Sequence, residues 1–321
     1  MPTMPPPEVV RLAEDRAEAR AAKDFTTSDA LREAIAEAGW VVTDQPDGWR
    51  LSPKPPYEVL RSVADLPDRG SPPGWRVTVA LLVERGPQDL RTCVEALLAH
   101  APADVGILGL DLANRDGSGD VLHELAVAHP DRIAEWHVAS PAGWAPARSA
   151  LLRLDQAEIH IWMETSTILD GDALTPVLEA FRAPDVVAAG WRGANVDLTD
   201  DWRSFSSAGP GDVDALLGYL FAMRRTAALD AGGPHPKARF YRNADLEFSF
   251  ALREATGGRL VVPQGDLPLR QTWHRGYHDT DPTFRDRESK RTFDRFLQRF
   301  RGRVDLLAPR PPAQSPGTTG S

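Results

Sequence analysis

Cysteine is nearly absent. Cys93 is the single one among 321 residues, so the chain cannot close a disulfide on itself. Long apolar runs are missing too, and none approaches the roughly 20 residues that a membrane-spanning helix needs. Positive charge is in the minority: 37 Lys and Arg stand against 46 Asp and Glu, a formal net charge of −9. That balance argues against general coating of nucleic acid, which relies on cations meeting phosphates. The start of the chain is proline-rich and acidic, so no secretory leader is expected and the cytoplasm is the expected location. What is present is ordinary for a globular protein: 42% hydrophobic and 26% charged residues, over a length that suffices for one large α/β domain or two smaller ones. Cys93 lies in the helical pattern DLRTCVEALLAH and is expected to be a small buried hydrophobe.

Four stretches follow one another. Residues 1–52 open on a proline-rich leader, and then Val9, Leu12, Ala13 and Arg16 recur at helical spacing over 8–23. Asp24-Phe25-Thr26-Thr27 interrupts that pattern, and a second helix is predicted over 28–38, with Thr27 or Ser28 as N-cap and Gly39 as its stop. Residues 40–43 and 49–52, with Gln45-Pro46-Asp47-Gly48 between them, read as a hairpin. Residues 53–75 are rich in proline and read as a linker. From 76 to 303 short apolar runs alternate with helical patterns, which predicts an α/β domain with a mostly parallel sheet and helices on both faces. Within it, 192–214 is Ser/Gly/Asp-rich and reads as irregular. Residues 304–321 read as a disordered tail.

The chemistry concentrates where apolar runs stop. VGILGLDLANRDG places Asp111 at the carboxyl end of a strand, with Asp116 just beyond it, and IHIWMETS places Glu164 at the end of another. Open α/β sheets bind ligands at such ends. Arg148, in GWAPARS between them, could help these acids to grip a nucleotide and its diphosphate. Further on, YRNADLE carries Asp245 and Glu247, and WHRGY carries His274 and Arg275. Residues 285–303 hold eight basic and three acidic residues around a stripe of Phe293, Phe296, Leu297 and Phe300. The stripe reads as core docking, and the basic face as one turned to solvent, anionic lipid or RNA.

These motifs resemble the family 2 glycosyltransferases of the GT-A fold over roughly residues 77–303. The resemblance implies inverting transfer of a sugar from a nucleoside-diphosphate sugar to an acceptor hydroxyl. It implies donor binding by Glu84, at the end of VTVALLVER, and by Asp111, Asp116, Arg148, His274 and Arg275. Glu164-Thr165-Ser166 stands where the family carries Asp-x-Asp, which implies Mg²⁺ or Mn²⁺ at Glu164, Ser166 and His274, with Ser166 a much poorer ligand than an acid. Arg242 and Asn243 replace the usual acidic pair before Asp245, leaving Asp245 or Glu247 as the base; a helix N-cap is the alternative role of Asp245.

Residues 16–48, RAEARAAKDFTTSDALREAIAEAGWVVTDQPDG, resemble the C-terminal region of cysteinyl-tRNA synthetases, a helical pair with a small wing that belongs to their tRNA-recognising end. The synthetase catalytic signatures are absent. Residues 1–52 hold ten Asp and Glu against six Lys and Arg, a sign opposite to what RNA phosphates prefer. A degraded transferase scaffold that binds a nucleotide, a partner or RNA is the alternative to an enzyme.

Overall fold

The computed structural model describes residues 4–45, 47–113 and 116–310. They divide into two compact units, Met1–Glu58 and Val59–Ser321.

The first unit is a helical pair, α1 (Pro7–Ala21) and α2 (Phe25–Glu37), followed by the antiparallel hairpin of β1 (Trp40–Gln45) and β2 (Gly48–Pro53). Its core is Val9, Ala13, Ile35, Trp40 and Val42. Arg16 was one of the residues on the helical stripe, and it is buried too. Its guanidinium forks onto Asp44 at 2.8 and 3.1 Å, so a charge inside this small core is paired. The second helix starts earlier than its expected cap: Asp24 accepts the Thr27 N–H, so Phe25, Thr26 and Thr27 lie within the helix. The expected hairpin forms; Pro46 of its turn lies outside the described residues.

The second unit is built on an eight-stranded sheet. Along the chain come β3 (Val77–Val83), α3 (Pro87–His100), β4 (Val105–Leu112), α4 (Ser118–Ala128), β5 (Ile133–Val138), α5 (Trp144–Leu154), β6 (Ile159–Met163), β7 (Thr167–Leu169) and α6 (Leu174–Glu179). Then follow β8 (Val186–Gly190), β9 (Gly193–Val196), β10 (Phe205–Ala208), β11 (Gly211–Asp212), β12 (Ala215–Leu216), β13 (Leu220–Arg224) and α7 (Arg225–Asp230). The unit closes with α8 (Ala244–Thr256), β14 (Arg259–Val262), β15 (Leu269–Gln271), α9 (Arg275–His278) and α10 (Pro282–Phe300).

The sheet order is β11-β14-β8-β13-β6-β3-β4-β5. β3, β4, β5 and β6 run parallel, β13 is antiparallel to both its neighbours, and β8 and β14 are parallel to each other. Both faces are covered, which explains the unbroken apolar run of β3. Ala80 and Leu82 face Leu151 of α5 and Phe248 of α8, whereas Val79 and Leu81 face Leu90 and Leu97 of α3. Cys93 is fully buried in the second of these layers, and burial pushes its thiol pKa far up, as suits a packed hydrophobe.

Three expectations are corrected. The proline-rich stretch is not a linker beyond residue 58: the Leu60 N–H donates to His137 O at 2.9 Å, Leu66 is buried, and Trp75 packs so closely on Gly106 that an added Cβ there would lie 2.1 Å from the ring. Residues 59–75 thus strap the exposed edge of β5, a task for which a segment poor in ladder donors suffices. The stretch expected to be irregular holds the small antiparallel sheet β10-β9-β12. The tail is ordered through Arg310, whose guanidinium meets buried Asp214 at 2.7 Å; residues 311–321 lie outside the described residues.

Candidate active site

β3 and β6 bury their last residues, Val83 and Met163, so the next ones, Glu84 and Glu164, emerge together at the carboxyl edge of the sheet. Three connected spaces open there. A cleft of about 800 Å³ is lined by Glu84, Arg85, Asp116, Trp144, Arg239 and Tyr241, among others. A cavity of about 560 Å³ is lined by Glu164, Tyr219, Tyr241, Arg242, Asp245 and His274, among others. Between them, sharing lining residues with both, lies a passage of only about 30 Å³, walled by Glu84, Arg85, Asp89, Glu164, Ser166, Tyr241, His274 and Arg275, among others.

Glu164 is the hub of the passage. Arg148, buried on α5, donates to Glu164 Oε1 at 3.3 Å, to Ala80 O at 2.8 Å and to Met163 O at 3.3 Å. Its guanidinium also lies 5.9 and 5.8 Å from the rings of Trp144 and Trp162. Arg148 therefore stands behind the acid and steers it; its Nη groups do not reach into the cleft. On the other side His274 Nε2 lies 3.6 Å from Glu164 Oε2. Burial pushes the Glu164 carboxyl up, but His274 and Arg148 outweigh it and hold it below the ordinary carboxylate range. Glu84 moves the other way: crowding by the protein raises its pKa, and the charge of Glu164 adds to that.

His274 caps α9 by accepting the Tyr277 N–H on Nδ1 at 3.0 Å, and Tyr241 Oη lies 3.4 Å from the same atom. With Nδ1 accepting, the neutral ring carries its proton on Nε2, and so does the charged ring. Burial opposes charge on His274, but Glu164 and Glu84 outweigh it and raise its pKa.

Asp245 opens α8 and lines the smaller cavity. Its Oδ2 accepts the Gly218 N–H at 2.9 Å and its Oδ1 the Leu246 N–H at 2.9 Å, while burial drives its pKa up to about 6. A carboxyl fixed by two backbone donors and poised near neutrality has the properties of a general base. The expected helix cap is Asn243 instead, in a left-handed conformation at φ +68°.

Glu247 drops out of the candidate bases. Two residues further along α8, it is buried and clamped by Arg295 of α10 at 2.6 and 2.5 Å. Arg295→Ala is expected to lower the unfolding free energy by about 3 kcal/mol, because Glu247 is left charged and unpaired. Chemical denaturation measures this, and the cleft's ligand affinity should stay unchanged.

The other expected donor residues divide. Asp116 lines the larger cleft but also stitches its floor, accepting the Gly86 N–H at 2.8 Å and the Ser118 N–H at 3.0 Å. Asp111 lies beneath the cleft, still within β4, with Oδ2 3.2 Å from His137 Nδ1 on β5. It is absent from the cleft's described lining. Residues 114 and 115 of the same motif lie outside the described residues. Arg275 lines the passage, tethered to Asp89 and Asp279.

The expected metal ligands, Glu164, Ser166 and His274, all line the passage, but their polar atoms are already engaged. Ser166 is buried, with Oγ 3.5 Å from Gln271 Nε2, and its carbonyl accepts from Thr272 N and Oγ1. His274 carries a proton on Nε2, the atom a metal needs bare. Glu164 is left as one carboxylate already shared by two cationic groups. No three His, Cys, Asp or Glu residues form a metal-binding group among the described residues. This donor set does not fit a hard divalent cation, which asks for several oxygens.

Arg85 and Tyr241 were not singled out in the sequence. Arg85 ends an apolar strand, and Tyr241 stands one residue before the altered Arg242-Asn243 pair, which was the only signal available. The basic residues of 287–303 are largely exposed and carry surface ion pairs. Arg287 and Arg291 bind Glu288, Lys290 binds Asp294, Arg299 and Arg303 bind Glu254, and Arg301 binds Asp201. The aromatic stripe of α10 docks as expected, on Phe250 and Trp202.

The second unit, with its large mostly parallel sheet between helices, has a fold similar to that of GT-A glycosyltransferases. The chain superposes on the structure of GalNAc-T7 with UDP, GalNAc and Mn²⁺ at a TM-score of 0.58 and 13% identity, over 69% of this chain and 48% of that one. It superposes on the mannosyltransferase PcManGT from Pyrobaculum calidifontis, in complex with GDP-Man and Mn²⁺, at a TM-score of 0.52 and 16% identity, over 77% and 79%. Residues 5–50 match the family described as the cysteinyl-tRNA ligase anticodon binding domain. The chain is 54% identical over 56 residues to the cysteine–tRNA ligase of Opitutus terrae and 56% identical over 46 residues to that of Methanosarcina mazei. These matches span only 12% and 10% of the ligases' length. No described helix is long and apolar enough to cross a membrane.

Proposed function

We propose that the second unit is a glycosyltransferase that moves a sugar from a nucleoside-diphosphate donor to an acceptor hydroxyl with inversion. The larger cleft takes the nucleotide, with its diphosphate at the join to the passage, and the smaller cavity takes the acceptor. The acceptor hydroxyl loses its proton to Asp245 as its oxygen attacks the anomeric carbon, and the diphosphate departs on the side of Glu164 and His274. The observation that carries this reading is the placement of Asp245, with a pKa of about 6, in a cavity that shares Glu164, Tyr241 and His274 with the passage. The fold supports it through its likeness to two structures, one with UDP and one in complex with GDP-Man.

Calorimetric titration with UDP, GDP and their sugars tests the donor half, and release of the nucleoside diphosphate in the presence of candidate acceptors tests the transfer. Saturable binding with turnover supports the enzyme. Binding without turnover by any acceptor favours a degraded scaffold, for which Ser166, Arg242 and Asn243 are the sequence argument. Absence of nucleotide binding defeats the reading.

A further inference from the structure

Resting on that reading of the cleft, we propose that the Nε2–H of His274 and the guanidinium of Arg85 hold the donor diphosphate, in place of the Mn²⁺ of the two similar structures, and that nucleotide binding is metal-independent.

An imidazole stands beside the strand-end acids. His274 Nε2 lies 3.6 Å from Glu164 Oε2. The point where a Cβ would stand on Gly276 lies 3.2 Å from His274 Cε1 and 3.4 Å from Glu84 Oε2, so Glu84 also comes near the ring.

The same ring brings a donor to the passage. Nε2 is buried and has no hydrogen-bond partner among the described residues; Glu164, at 3.6 Å, lies beyond hydrogen-bonding distance. A buried N–H without an acceptor is costly, and a phosphate oxygen in the passage would satisfy it. Tyr241 and the Tyr277 N–H hold the ring in this orientation from the Nδ1 side.

Arg85 supplies the second charge. It lines both the passage and the larger cleft, at the join where a diphosphate would lie between nucleotide and sugar. Arg275 beside it is tied to Asp89 and Asp279, and Arg148 to Glu164. Arg85 is exposed and has no hydrogen-bond or ion-pair partner among the described residues. Its planar fork of donors matches a phosphate bidentately.

The test is calorimetric titration of the full chain with UDP and with GDP, once in excess EDTA and once in Mn²⁺. The expected result is the same affinity in both buffers, to within about twofold. Arg85→Ala, at an exposed and unpaired position where folding is not at stake, should weaken binding by about 10- to 100-fold in both buffers. His274→Ala should weaken it to a similar degree. Binding that requires Mn²⁺, or tightens with it by more than about tenfold, overturns this inference and leaves the nucleotide site standing. Unchanged affinity in Arg85→Ala overturns the role of that residue. No binding of either nucleotide in either buffer overturns the site itself, and the inference with it.

Discussion

Asp245→Asn is expected to lower the rate of sugar transfer by about 10²- to 10⁴-fold, the range that a positioned general base contributes. The change keeps the shape of the side chain and removes the basic oxygen. Donor affinity should be retained, because Asp245 lines the acceptor cavity and not the larger cleft. The pH dependence gives a second, independent readout. The base works in its ionised form, and burial raises its pKa to about 6. Activity should therefore climb as pH rises through about 6 and level off above it, with kcat/KM reporting the pKa of the free enzyme. A flat profile from pH 5 to 7, or an Asn variant with normal turnover, would remove Asp245 from the mechanism. Gly218 and Leu246 both donate N–H groups to this carboxyl, and an amide can accept only one of them well. A small loss of stability should accompany the loss of rate without explaining it.

Arg148→Ala should produce the largest loss of stability, about 3–5 kcal/mol, because it removes a fully buried guanidinium from all its partners and leaves the partly buried Glu164 with one cationic partner fewer. Ala80 O and Met163 O lose their donor, Glu164 loses one of its two cationic partners, and the space between Trp144 and Trp162 empties. In a unit of this size the thermal midpoint should fall by roughly 10 °C. With Arg148 gone, the carboxyl of Glu164, now held below the ordinary range, should shift upward. Arg148→Lys should rescue only part of the loss, since an ammonium cannot serve two carbonyls and a carboxylate in one plane. A variant that melts like the parent would show that the arginine does not organise the passage.

The parts of this molecule legible in its sequence are those set by periodicity and by local chemistry. VTVALLV and VGILGLDL are apolar without interruption, because both faces of their sheet are covered, and both were found as strands. The α10 stripe was legible for a similar reason, since Phe293, Phe296 and Phe300 recur at helical spacing. The strap of residues 59–75 was not, because its proline content describes what it cannot pair with and says nothing about the β5 edge that it covers. The small sheet β10-β9-β12 escaped because short strands in a Ser/Gly/Asp-rich stretch carry too few apolar positions to show a period.

At the site, the sequence by itself determined which residue types stand at the strand ends: Glu84, Asp111, Glu164 and, after the altered pair, Asp245 and Glu247. It could not decide among them, because each is an acid next to an apolar run. Only the tertiary structure did so, through partners distant along the chain. Arg295, 48 residues away, clamps Glu247. His137, 26 residues from Asp111, meets that acid beneath the cleft. Among the described residues no cationic group forms an ion pair with Asp245, which is left buried and backbone-bound with a raised pKa. An acid's chemistry follows from the charges and the water around it, and the fold, not the order of residues, supplies both.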